Sequence, residues 1–190
     1  MTVSVEGTVA VGYEPVRAAL EASGATEHGS ADCCVYAAGE CVVDLRAGRR
    51  PEDAFALPRD PALRGVPIIA SNGYTNARGL ARLHAWLPTA LSADTLRDLT
   101  VARIAGPDVV LSAPAMAIEQ HFSRGFEVLQ AGSSSAASGH HGLGCAMAFA
   151  DPAHRLAFGY TTSAAHLGPP GGDARVRKLT RAISACVPRS

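Results

Sequence analysis

His140 and His141 stand side by side between Gly139 and Gly142, and a small-residue run from Gly132 to Gly139 leads into them. Imidazole is the side chain that titrates nearest neutral pH, so such a pair can supply a general acid or base. Adjacent side chains on a strand point to opposite faces, so only one of the two can face a given cleft. The five cysteines, Cys33, Cys34, Cys41, Cys145 and Cys186, show no Cys-x-x-Cys spacing, and most fall in apolar stretches where a free thiol serves as a small buried hydrophobe. Cys145 follows His140 by five residues, an odd separation that turns it to the other face of a regular strand. Ser133, Ser134 and Ser135 read as loop residues with no base paired to them. The histidines at 28, 84, 121, 140, 141, 154 and 166 show neither His-Glu-x-x-His nor His-x-His spacing, so no metal ion is expected. Gly139, Gly142 and Gly144 precede a strand instead of opening a helix, which argues against a dinucleotide loop; no cofactor is expected. Asn72, Tyr74 and Asn76 carry amide and phenol groups able to orient a polar ligand. A Ser-Asn-Gly turn followed by a helix cap explains Asn72 and Thr75 at least as well.

Several elements must position these groups. Helices are expected from about Glu14 to Ser23, from Thr75 to Leu87 and in a short segment capped by Ser92. In the second of these, Leu80, Leu83 and Leu87 recur at helical spacing and make one apolar face. Strands are expected near Ala31 to Ala37, Glu40 to Arg46 and Gly125 to Ala131. Two more flank a turn at Asp151-Pro152, one ending at Phe149 and one running from Arg155 to Thr162. The stretch from Ala105 to Gln120, with Gly106-Pro107 and Pro114, reads as irregular, and Pro169-Pro170-Gly171-Gly172 separates the last strand from a terminal helix. The pattern predicts an α+β fold, an antiparallel sheet of about five strands flanked by N- and C-terminal helices. A chain of 190 residues is expected to form one domain, 1–190, burying about 70% of its unfolded surface.

Seventeen basic residues balance 17 acidic ones, so the charge gives no footprint for nucleic acid or an anionic membrane. The aromatic residues do not interleave with a basic stripe, which removes the usual platform for single strands. No stretch approaches the ~20 apolar residues of a membrane span. The first residues carry neither the basic region nor the apolar run of an export signal, and a cytoplasmic location is expected.

The block from Gly139 to Tyr160 resembles the late motif and hairpin of the serine β-lactamase-like hydrolases, the esterase and penicillin-binding-protein-like group. There a Gly-His-x-Gly-x-Gly run, standing in for Lys-Thr-Gly, lies on the strand that walls the active site. The match falls on Gly139, His140, Gly142 and Gly144. Residues 29–48, ending in Val43-Asp44-Leu45-x-x-Gly48, are similar to the group's first hairpin, and residues 173–183 to its C-terminal helix. Residues 67–82 look like its later cleft-rim loop running into a helix. The resemblance implies a β-lactamase-like fold, selects His140 as the cleft residue, and brings Asn72, Tyr74, Asn76, His141, Gly142, Tyr160 and Ser163 to the substrate site. His141 replaces a Thr, Ser or Pro of the group, and Ser163 an Asn.

The group's nucleophile is the Ser of a Ser-x-x-Lys motif, whose amine accepts the hydroxyl proton. This chain has one lysine, Lys178, and the residue three before it is Arg175, so the motif is absent in any register. Only a short linker rich in Pro and charge separates Gly48 from Pro67, where the group carries most of a helical domain. The resemblance is therefore to an abridged member, and serine esterase or β-lactamase activity is not expected. Three readings follow. The first is a biosynthetic cyclase, isomerase or lyase that uses His140 for proton transfer on a small-molecule substrate. The second is a catalytically dead ligand-binding or assembly protein, and the third a residual hydrolase. Loss of the helical half would bare an apolar face, so a homodimer is expected.

Overall fold

Alternating apolar side chains and a Gly39 turn fold β2 (Ser30–Ala37) and β3 (Glu40–Gly48) into an antiparallel hairpin, and the rest of the sheet grows from its two sides. The structure, a computed structural model, describes residues 4–23, 29–48, 61–66, 73–109, 118–129, 137–142, 144, 146–164 and 173–187. The other strands are β1 (Val5–Val9), β4 (Ile104–Pro107), β5 (Glu119–Phe122), β6 (Glu127–Leu129), β7 (Ala137–His141), β8 (Met147–Asp151) and β9 (Leu156–Thr162). The helices are α1 (Glu14–Glu21), α2 (Pro61–Arg64), α3 (Ala77–Ala90), α4 (Ala93–Thr100) and α5 (Ala174–Cys186). The nine strands form one sheet in the order β1-β3-β2-β9-β8-β7-β6-β5-β4.

The α+β class stands, but the sheet has nine strands and not about five. Three of the additional ones, β1, β4 and β5, are short and lie towards the edges; the fourth arises because the strand expected through His140 to Phe149 is two antiparallel strands, β7 and β8. β1 reads Val-Glu-Gly-Thr-Val and pairs with β3. β4 ends on Gly106-Pro107, which reads locally as a breaker, yet it pairs residue by residue with β5. Segments of four or five residues show too few periods to identify themselves; neighbouring strands supply the hydrogen bonds that hold them extended.

One face of the sheet packs on α1 and α5 through Val16, Leu20, Leu179 and Ile183, which meet Val35, Val43, Phe149 and Phe158. Phe149 and Phe158 lie directly opposite across β8 and β9 with ring centroids 5.2 Å apart. The residues between them, Ala148, Ala150, Ala157 and Gly159, point to the other face, where α3 lies. Because these are the smallest side chains, α3 comes close enough that a Cβ on Gly159 would stand 2.2 Å from the Ala77 carbonyl oxygen. The helix accordingly buries Ala77, Ala81 and His84. The expected apolar face of Leu80, Leu83 and Leu87 is not the buried one: Leu83 is 52% exposed and Leu80 and Leu87 half-buried. A sheet paved with Ala and Gly accepts a flat helix face, and large leucines cannot approach it. The cap expected at Ser92 is present, its oxygen accepting from the Thr95 N–H at 3.2 Å; α3 is capped by Asn76 and not by Thr75, and Asp173 caps α5, accepting from the Arg175 N–H at 2.7 Å.

Candidate functional site

β7 lies between β6 and β8, and its alternation sends the two histidines to opposite sides of the sheet. His141 pairs across with Met147 of the core, and its Nδ1 stands 2.9 Å from Glu127 Oε2 on β6. Its backbone N–H donates to the same oxygen at 3.0 Å. Glu127 is 4% exposed. Burial alone would raise its carboxyl pKa, but hydrogen bonds from the His141 ring and backbone, with the positive potential of both histidines, hold it below the usual carboxylate value. The sequence reading missed Glu127. Its one sequence signal is a lone carboxylate in Phe126-Glu127-Val128-Leu129, on the same strand face as the buried Leu129.

His140 points the other way. It is exposed on the α3 side, where Ala148 is its cross-strand neighbour, and its ring centroid lies 6.5 Å from that of Phe122 on β5. Its Nδ1 is 2.5 Å from the His141 carbonyl oxygen. A carbonyl can only accept, so Nδ1 carries a proton, and in the neutral form of the ring the lone pair lies on Nε2.

The remaining site residues expected from the resemblance separate into different places. Asn72 lies outside the described residues, as do Cys145 and Ser133 to Ser135. Tyr74 is 48% exposed just before α3. Asn76 is the N-cap of α3, its side-chain oxygen accepting from the Gly79 N–H at 3.0 Å. Gly142 donates its N–H to the Ala146 carbonyl at 2.7 Å and helps close the turn into β8. Tyr160 is not on the His140 face: it is fully buried in the α1–α5 core, and desolvation raises its phenol pKa to about 12. The physical reason is register, because Gly159 must face α3 and the next residue must then face away. Ser163 is a structural tie, its Oγ accepting from the Ser30 N–H at 2.8 Å where β9 meets β2.

No nucleophile paired with a base appears among the described residues. Cys33 and Cys34 are fully buried, and both thiols are pushed up, first by desolvation; Asp44 adds to this for Cys33, and Cys41 and Asp44 for Cys34. The Cys34 and Cys41 sulfurs lie 3.9 Å apart. No cluster of three or more His, Cys, Asp or Glu able to hold a metal ion occurs among the described residues. No described helix is long and apolar enough to cross a membrane. One cavity of about 260 Å³ opens at the N-terminal end of α3, where Asp32, Asp44, Arg46 and Arg78 meet and Arg78 pairs with Asp44. His140 does not line it.

An antiparallel sheet with α1 and α5 on one face, α3 on the other, and a Gly-His strand beside the last hairpin defines the β-lactamase-like fold of the esterase and penicillin-binding-protein-like group. The chain is similar to a family VIII carboxylesterase, with a TM-score of 0.74 and 16% identity over 97% of this chain and 100% of that one. A penicillin-binding protein homolog from Caulobacter crescentus has a TM-score of 0.75 and 14% identity over the same shares of the two chains. EstA from Arthrobacter nitroguajacolicus Rue61a has a TM-score of 0.58 and 25% identity, over 69% of this chain and 37% of EstA. No protein-family model and no curated protein sequence matches. What these likenesses share with the chain is the fold; no Ser-x-x-Lys motif occurs in this sequence.

Proposed function

We propose that this chain is a small-molecule enzyme of the isomerase, cyclase or lyase kind, in which His140 moves a proton and no covalent adduct forms. The observation that carries the reading is the fixed tautomer of His140. With Nδ1 held by a carbonyl, Nε2 is the exposed basic atom, the arrangement that a general base needs. His141 and Glu127 support it by anchoring β7 from the opposite face. The missing Ser-x-x-Lys argues against acyl transfer. A homodimer belongs to the same reading: Leu83 and Trp86, 52% and 57% exposed, form an apolar patch on the outer side of α3 that a second copy would cover.

The test is an incubation of the chain with a metabolite extract, followed by chromatography with mass detection. A species converted by the native chain and untouched by His140→Ala, with fold retained, is the expected result. Conversion that persists in His140→Ala removes the proposal.

Two other readings keep specific support. A binding protein without catalysis is favoured by the cavities at either end of α3, neither of which His140 lines. A residual hydrolase is favoured by the likeness to esterases. A fluorophosphonate probe separates the last from the others: no adduct is expected on the native chain, and a stoichiometric adduct would restore hydrolysis.

A further inference from the structure

α3 contains Pro88. Proline has no N–H to donate and its ring crowds the carbonyl four residues back, here that of His84, so the helix loses a rung at that turn. Beneath this stretch the sheet presents the small Ala150 and Ala157, with Tyr36 and Leu156 at the cavity's sides. The gap is a cavity of about 270 Å³ between the second half of α3, the β2–β3 turn and the β8–β9 turn. That is close to the ~300 Å³ at which small-molecule sites begin. No lining residue comes from β7, the strand that bears His140.

Most of its wall is apolar, including Ala85, Pro88 and Leu156. Polar groups come from Tyr36, His84, Thr89, Asp151 and Arg155, the Thr89 hydroxyl already donating to the Trp86 carbonyl at 2.8 Å. His84 is 6% exposed, and its Nδ1 has no hydrogen-bond partner among the described residues. Leaving a buried polar atom unpaired carries its full desolvation cost, which a bound polar group would offset. Burial also lowers the His84 pKa to about 4, so the ring is neutral and offers one donor and one acceptor. Arg155 borders the cavity, and no carboxylate pairs with it among the described residues. The carboxylate in the lining, Asp151, is 2% exposed and already tied to His154 Nδ1 at 2.8 Å and to the His154 N–H at 3.3 Å. The cavity therefore combines an available cation, a neutral imidazole and an apolar wall.

We infer that this cavity binds a small carboxylic acid with a compact apolar body, the carboxylate meeting Arg155 and the His84 ring nitrogen and the body lying against Ala85, Pro88 and Leu156. A guanidinium gives a carboxylate two parallel charge-assisted hydrogen bonds, whereas a neutral alcohol of the same shape has neither the charge nor the second oxygen to match that fork.

The experiment titrates the full chain with benzoate, with benzyl alcohol and acetate in parallel, reading calorimetry and the NMR signals of the His84 ring. Saturable benzoate binding that shifts the His84 ring is expected. Benzyl alcohol and acetate should bind roughly tenfold more weakly or not at all, since one lacks the charge and the other the apolar body. Arg155→Gln should weaken benzoate by roughly tenfold, and Ala85→Phe, which fills the cavity from a half-buried helix position, should abolish binding. Thr89→Trp, at an exposed lining position, gives the same blockade if Ala85→Phe misfolds. No saturable benzoate binding, benzyl alcohol binding as well as benzoate, or affinity unchanged in Arg155→Gln and in the filling variant would each overturn the assignment.

Discussion

At the level of single side chains, the structure separates two kinds of histidine by what surrounds them. His84 is a buried base with a folded pKa near 4 against an ordinary 6.5, the cause being desolvation. The unfolded chain therefore takes up a proton between those values that the folded chain refuses. Stability is complete above pH 6.5 and falls as pH drops towards 4, by on the order of 3 kcal/mol. His84→Leu should remove that portion of the pH dependence, read as urea midpoints at several pH values. Glu127 acts in a lower window. Its folded pKa lies below the ordinary 4.5, so its contribution is present above 4.5 and is lost as pH falls through the folded value. Glu127→Ala leaves the His141 ring and N–H without their shared acceptor and should cost about 1–3 kcal/mol at neutral pH, whereas Glu127→Gln should keep much of it. Equal midpoints for Glu127→Ala and the native chain would show that the tie contributes nothing.

At the level of elements, the contact between α3 and the sheet rests on missing side chains. Gly159→Ala would place its Cβ 2.2 Å from the Ala77 carbonyl oxygen and force α3 outward. A loss of about 1–3 kcal/mol is expected in chemical denaturation. Gly139→Ala meets the Ala148 carbonyl oxygen at 2.0 Å, in a strand pair that cannot move aside without breaking β7 from β8, and should be at least as costly. The leucine face read along α3 was a sound inference from periodicity. It failed because helix periodicity says which side chains share a face, not whether the opposing surface has room for them.

At the level of the whole molecule, the outer side of α3 is where a partner would matter. If the chain is a dimer through Leu83 and Trp86, sedimentation equilibrium should show a mass that halves in Leu83→Lys/Trp86→Lys; an unchanged mass would place the interface elsewhere. The hairpin β2–β3, the cap at Ser92, the turn after Asp151 and the opposed His140 and His141 were all legible in the chain, because turns, caps and strand alternation depend on residues a few positions apart. The Gly-His block was likewise enough to name the fold group. Tertiary structure alone decided the rest. It paired His141 with Glu127 across 14 residues, buried Tyr160 because Gly159 had to meet α3, recruited the short edge strands, and left a cavity where Pro88 interrupts a helix over alanines. Each of those outcomes depends on which strand lies beside which and in what register, and no window of neighbouring residues contains that information.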